Sequence, residues 1–250
     1  MPFYPHRPSR IWKPSDLGGG LSLWLDAADP TTVTIATGVS QWLDKSGRSN
    51  HVLQATGANQ PSYVAPSSAN LGSVVFTTSN TMQSASLAAQ PLTLTKSYSF
   101  AMVLTLTTQS FGDILNFGGS NFQIGTNPGT GSLCAIFYQK QFSGNLMTAT
   151  SITVNTQYVL FGTQQIGSQA FYINSAPGGT GSNATDCGTP SSFLIGSSQG
   201  ISCNEVLVFP SIASTNFRYL VEGYLAWKWG QRSQLPTTHP YKLAPPRRMT

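Results

Sequence analysis

Short apolar or alternating runs recur along the chain, each set apart by Gly, Asn, Pro or Ser. Leu21–Leu25, Ser40–Leu43, Val74–Phe76, Tyr98–Leu106, Ile114–Phe117, Leu133–Tyr138, Ser151–Val154, Tyr158–Thr163, Ala170–Ile173, Phe193–Ile195 and Glu205–Phe209 follow this pattern. They are rich in the β-branched and aromatic residues that fit a pleated, half-buried surface. No helical pattern of a dozen residues falls between them, which predicts an all-β sandwich of two antiparallel sheets over an α/β sheet. Asp44-Lys45-Ser46-Gly47 reads as a tight turn, since Asp and Ser oxygens bond nearby amides and Gly accepts positive φ.

One segment changes period. After Pro210, Ser214-Thr215-Asn216 is a capping sequence, and Phe217, Leu220, Val221, Tyr224, Leu225 and Lys228 follow at three- and four-residue steps. Gly230 is the stop signal. The spacing predicts one short C-terminal helix over 214–229, with Phe217, Leu220, Val221 and Tyr224 against the sandwich. Arg218 and Glu222 form an i,i+4 pair expected on its wetter side. Trp227 and Trp229 face different ways, so at least one is expected to close over Leu235-Pro236-Thr237-Thr238-His239-Pro240-Tyr241. Residues 176–190 read as a Gly-rich surface loop; the Gly-Lys-Ser/Thr ending of a phosphate-binding loop is missing.

With 250 residues the chain is long enough for one substantial β domain. Charged residues make up only 8%, against roughly a quarter in ordinary globular domains. Solubility must then come from neutral polar side chains, as suits an extracellular or virion protein. The net charge of +5 is uneven: residues 1–48 contribute +1, 49–217 contribute −1 and 218–250 contribute +5. Positive charge concentrated in tails favours an acidic partner. It lacks the dense basic patch with interleaved aromatics that specific nucleic-acid binding requires.

Candidate chemistry is sparse. Cys134, Cys187 and Cys203 are too widely spaced for a zinc knuckle or a redox pair. The opening segment MPFYPHRPSRIWKP has no apolar core of a secretory signal, and no run approaches a membrane span. Of eight acids, Asp26, Asp29 and Asp44 adjoin turns, where each is placed to bond backbone amides or a cation. Asp113, Asp186 and Glu205 read as isolated. No Gly-x-Ser-x-Gly elbow occurs, His6 and His239 read as tail residues, and His51 is the one histidine inside the folded part. These readings predict a protein that is not an enzyme and needs no cofactor.

Two end motifs carry a family resemblance. Leu23-Trp24-Leu25-Asp26-Ala27-Ala28-Asp29-Pro30, Val39-Ser40-Gln41-Trp42-Leu43-Asp44-Lys45-Ser46-Gly47-Arg48, Asn50-His51 and Gln60-Pro61-Ser62-Tyr63 open the chain. Arg218, Glu222-Gly223-Tyr224-Leu225-Ala226-Trp227-Lys228-Trp229-Gly230, Leu235-Pro236 and His239-Pro240-Tyr241 close it. Together they resemble the concanavalin A-like, laminin-G-like jelly-roll domains of phage, giant-virus and environmental bacterial proteins. The resemblance implies two curved antiparallel sheets used mainly for recognition or adhesion. The stretch Phe76-Thr77-Thr78-Ser79-Asn80-Thr81-Met82 lacks the acids relatives carry there, and Ser202-Cys203-Asn204 stands where they place Gly-Asp or Gly-Glu. Both departures argue against a family-type calcium site.

The resulting expectation is an N-terminal arm over 1–20, one jelly-roll domain over 21–246 and a basic tail over 247–250. Trp24, Asp26, Trp42, Asp44, Tyr224, Trp227 and Trp229 are its structural residues, with the large rings in a single core. Phe3, Tyr4, Arg7, Arg10, Trp12, Lys13, Arg247 and Arg248 are candidate assembly contacts, because prolines pre-extend the arm and aromatics offer anchors. The function expected is a non-enzymatic structural component of a virus or phage particle, such as a capsid decoration, fibre or spike subunit. Its partners would be copies of itself and other virion proteins. A carbohydrate-binding adhesion module with a surface glycan as partner is the alternative, and a glycan hydrolase or lyase the third reading.

Overall fold

In a computed structural model, residues 10–84, 97–108, 112–117, 123–127, 133–137, 146–151, 153–182, 192–197 and 200–248 are described. The strands run β1 (Leu23–Asp26), β2 (Val33–Ile35), β3 (Val39–Trp42), β4 (Val52–Leu53), β5 (Ser62–Val64), β6 (Ser73–Phe76), β7 (Met82–Ser84) and β8 (Tyr98–Leu106). They continue with β9 (Gly112–Phe117), β10 (Gln123–Asn127), β11 (Leu133–Phe137), β12 (Leu146–Ser151), β13 (Gln157–Gln165), β14 (Ser168–Ile173), β15 (Ala176–Gly181), β16 (Phe193–Ser197) and β17 (Ile201–Phe209). One helix, α1 (Thr215–Lys228), follows.

The strands form two antiparallel sheets, β15-β14-β13-β8-β17-β6-β5 with β1 added against β17, and β12-β11-β10-β9-β16-β7-β4-β3-β2. This is the all-β jelly-roll sandwich with a single C-terminal helix. Strand β15 occupies Ala176–Gly181, pairing with β14 as an edge strand where a Gly-rich loop was expected. The remainder of that expected loop, 183–190, lies outside the described residues, as do Cys187, Phe3, Tyr4 and Arg7.

The buried side chains divide into two compartments, not one core. Between the sheets lie Trp42, Phe76, Phe100, Phe117, Phe193, Val206 and their neighbours. On the far side of the β15–β5 sheet, Trp12, Trp24, Val103, Phe161, Leu207, Tyr224, Leu225 and Trp229 pack beneath α1. That sheet is therefore covered on both faces along β13, β8 and β17, so these strands read as apolar runs without alternation. Ser214 caps the helix by accepting from the Phe217 amide at 3.3 Å, and Gly230 ends it at φ 72°. The closing segment lies so near α1 that a Cβ at Gly223 would sit 2.7 Å from that of Tyr241.

A β-bulge decides what β17 presents. Cys203 pairs with Leu104 and Glu205 with Val103, so Asn204 is the extra residue. Before it, Ile201 and Cys203 point between the sheets; after it, Val206 and Val208 do. Asn204 and Glu205 consequently both leave the inter-sheet core. The bulge falls where the other edge of β17 passes from β6, paired at 201–203, to β1, paired at 205–208.

Candidate functional site

The bulge aims Glu205 into the compartment under α1, where it is fully buried. It accepts from Trp24 Nε1 at 2.8 Å, Tyr224 Oη at 2.9 Å and Trp229 Nε1 at 2.6 Å, and Lys228 Nζ lies 2.8 Å away. Lys228 also pairs with Asp26 at 2.7 Å, Asp26 with Lys45 at 2.9 Å, and Lys45 with Asp29 at 2.8 Å. The result is an alternating chain of charge, Glu205–Lys228–Asp26–Lys45–Asp29. Burial pushes the Glu205 carboxyl up and Asp26 adds to this, while Lys228 and Trp229 pull it down. Burial likewise raises the Tyr224 phenol, and the neighbouring carboxylates add to it. At the outer end, Lys45 and Thr31 hold Asp29 below the ordinary carboxylate range. Burial works against the Lys45 charge, but Asp29 and Asp26 outweigh it and raise its pKa.

Glu205 is thus not the isolated acid its sequence context predicts; it joins the first strand, the last strand and the helix. Asp26 and Asp29, read as amide or cation ligands, bond the amides of Ala28 and Thr31 and the ammonium groups just described. Asp44 accepts from the amides of Trp24, Ser46 and Asn50 at 2.8, 2.8 and 2.9 Å and from Ser46 Oγ at 2.7 Å. It fixes the 44–50 turn against β1. His51 belongs to the same turn, its Nδ1 accepting from the Asp44 amide at 2.9 Å. Every one of these carboxylates is spent on donors inside the domain.

A cleft of about 500 Å³ opens beyond the end of α1, lined by Asn70, Thr105, Gln157, Ser202, Asn204 and Trp229, among others. Its amides form a relay: Gln231 donates to Gln157, Gln157 to Asn204 and Asn204 to the Gly72 carbonyl, at 2.7, 2.9 and 2.9 Å. This fixes the amide orientations at the floor while the Thr105 and Ser202 hydroxyls stand beside them.

A second built cluster sits at the other end of the helix. Arg218 and Glu222, expected on a wetter face, are both buried. Arg218 Nη1 lies 3.0 and 2.9 Å from the two Glu222 oxygens, and Ser175 Oγ donates to Glu222 Oε2 at 2.7 Å. The guanidinium stands 3.8 Å from the centre of the Tyr172 ring and 4.5 Å from that of Tyr219. His239, which reads as a tail residue, is buried against Tyr219, ring centroids 5.0 Å apart.

Other predicted positions are redistributed. Trp229 is the deeply buried tryptophan of the helix end, whereas Trp227 is half-buried and donates from Nε1 to the Tyr241 carbonyl at 2.7 Å, closing over the 235–241 segment. Trp12, proposed as an anchor for a neighbour, is buried within its own chain, edge-on to Tyr224 at 5.6 Å. Its amide donates to the Pro246 carbonyl, and the Arg248 amide donates to that of Arg10, both at 2.9 Å. Ile11 bridges to Arg247, Arg10 pairs with Asp16, and the Lys13 amide donates to Asp16 at 3.0 Å. Residues 10–14 and 245–248 are therefore tied to each other and to α1, across the domain boundary expected at residue 21.

No family model matches the chain, and no curated protein matches it in sequence. Solved structures do match in shape. A Trypanosoma rangeli sialidase in complex with sialic acid aligns with a TM-score of 0.60 at 13% identity, over 84% of this chain and 33% of the sialidase. The binding domain of Paraclostridial Mosquitocidal Protein 1 aligns at 0.61 and 10%, over 82% and 52%. A structure described as a receptor binding domain aligns at 0.57 and 11%, over 84% and 52%. At such identities the likeness defines the fold: a jelly-roll β-sandwich of the kind carried by sialidase chains and receptor-binding domains. The chain spans about a third to a half of the length of these structures, and the likeness is not tied to virus or phage proteins. No helix among the described residues is long and apolar enough to cross a membrane.

Proposed function

We propose that the protein is a non-catalytic, glycan-binding recognition module. The observation that carries this is the division of labour around the bulge: the acids are consumed by structural donors, while the open cleft beside them is lined by amides and hydroxyls next to Trp229 and by Lys228, whose charge is already paired with Glu205 and Asp26. Most glycoside hydrolases act through two carboxylates facing the sugar, and Glu205 and Asp26 face Lys228 instead. A cleft with oriented amides and hydroxyls, whose one lining cation is paired internally, suits an uncharged polyol. Similarity to sialidase and receptor-binding structures is consistent with this reading. Placement of the module on a virus or phage particle, with Phe3, Tyr4, Arg7, Arg10, Lys13, Arg247 and Arg248 as assembly contacts and Trp12 held within its own chain, draws on the low-charge composition and the family resemblance. The test is a glycan array with the intact protein and with Ser202→Arg, which fills the cleft from β17. Retention of at least one glycan, lost in the variant at an unchanged unfolding midpoint, is expected. An array without retention, or a variant that binds as the parent does, refutes the proposal.

A further inference from the structure

A cavity of about 250 Å³ lies between the β14–β15 hairpin, α1 and the closing segment, lined by Tyr172, Ser175, Arg218, Tyr219, Thr238 and His239, among others. Two of its polar side chains, Arg218 and His239, keep donors unspent. The Tyr241 amide donates to His239 Nδ1 at 3.1 Å, so Nδ1 is the unprotonated nitrogen and the neutral ring carries its proton on Nε2. That Nε2 is buried without a hydrogen-bond partner, 3.7 Å from Glu222 Oε2, too far for a hydrogen bond. Arg218 spends only Nη1 on Glu222 and Ser175; among the described residues, Nε and Nη2 have no partner. This leaves the flat edge of the guanidinium that binds carboxylates in bidentate fashion.

The local backbone is held for this arrangement. The hairpin turn places Asn174 and Ser175 at φ 50° and 68°, where the second position ordinarily favours Gly. Ser175 occupies it and uses its hydroxyl to fix Glu222, which in turn orients Arg218. Strained backbone maintained by a buried polar cluster is a feature of binding sites.

We propose that this cavity takes the carboxylate of a terminal acidic sugar, with the Nε/Nη2 edge of Arg218 and the Nε2–H of His239 as its donors. The volume lies below the roughly 300–1,000 Å³ of whole-ligand pockets, so it accommodates an end group and not an extended chain. Tyr172, Tyr219 and Pro177 supply apolar walls for the ring. Thr238 is exposed at the entrance and Tyr219 is half-buried, so the second carboxylate on Arg218 stays partly solvated. This inference rests on the glycan reading and deepens it.

Isothermal titration with 3′-sialyllactose, its methyl ester and lactose tests the idea. The free acid should bind at least tenfold more tightly than the ester or lactose. His239→Phe, which keeps the ring contact with Tyr219 but removes the donor, should lower that preference at least fivefold. Thr238→Trp, which obstructs the entrance from an exposed position, should do the same with the buried cluster intact. Lactose binding as tightly as the acid overturns the carboxylate site but leaves the glycan reading standing. An acid preference unchanged in both variants overturns the site as placed, and binding of none of the three sugars by a protein that retains neutral glycans on the array overturns this inference alone.

Discussion

Glu205 gives the sharpest test of how the two covering elements are held to the sheet. Replacing it by Leu leaves Trp24 Nε1, Trp229 Nε1 and Tyr224 Oη without their acceptor, and Lys228 with one carboxylate partner in place of two. A buried donor left unsatisfied costs about 1–3 kcal/mol, and removing one partner of a buried ion pair costs about 3–5 kcal/mol. These costs overlap, because the same desolvated groups are counted in both. Glu205→Leu should therefore lose about 4–6 kcal/mol, a large share of the roughly 5–15 kcal/mol available to a domain. Glu205→Gln retains one acceptor oxygen and should lose about 2–3 kcal/mol. Urea unfolding at 25 °C reads the difference as a shift in midpoint at constant slope. A Glu205→Gln/Trp229→Phe double-mutant cycle should show a coupling of about 1–2 kcal/mol. A loss below about 1 kcal/mol for Glu205→Leu would mean that the network contributes nothing to holding β1 and α1, and the reasoning fails.

Three other outcomes follow. Trp229→Ala should cost about 3–5 kcal/mol and the half-buried Trp227→Ala about 1–2 kcal/mol, a ranking that thermal or urea unfolding of the pair decides. Cys203 is fully buried, which pushes its thiol far above the ordinary range with Glu205 adding to the shift; peptide mapping after maleimide treatment at pH 8.5 should show Cys203 labelled only in denaturant. Asp29 is held low by Lys45 and Thr31, so its contribution is present above the unfolded carboxylate pKa and is lost as pH falls through the lower folded value. Lys45→Met should accordingly flatten the acid limb of a stability-against-pH curve.

The longer elements were legible because their side chains carry their own signal. Tyr98–Leu106, Ala170–Ile173 and the helix with its Ser214 cap and Gly230 stop coincide closely with β8, β14 and α1. Strands β2, β4, β5 and β7 are two to three residues long, and all but β4, which is only Val52–Leu53, mix polar with apolar positions. Their conformation is set by the partner strand, which local sequence does not encode. Likewise the i,i+4 spacing of Arg218 and Glu222 is visible, but their burial depends on Ser175 and His239 arriving from distant segments. The sequence around Glu205 does carry a clue to its burial. A lone acid heading the apolar run Val206–Phe209 enters a compartment where an unpaired charge is prohibitively costly, and Lys228 at the end of a helix packing on that sheet is the natural counter-ion. Trp12 is buried against Tyr224 in its own chain, a placement that sequence does not reveal, because an aromatic among prolines reads equally well as an anchor for a neighbour or for its own chain.

The extra residue at Asn204 also separates two kinds of evolutionary constraint along one strand. Ser202 and Asn204 stand at the cleft on one side of the bulge, and Glu205, Leu207 and Phe209 hold the helix on the other. Without the bulge, a strand of this length would have to serve both tasks with a single alternating register. With it, the cleft wall at Ser202 and its neighbour Thr105 is open to substitution at little risk to the bolt that keeps the domain folded. If the cleft binds glycans as proposed, changes in ligand preference can accumulate on a scaffold whose stability is written a few residues further along the same strand.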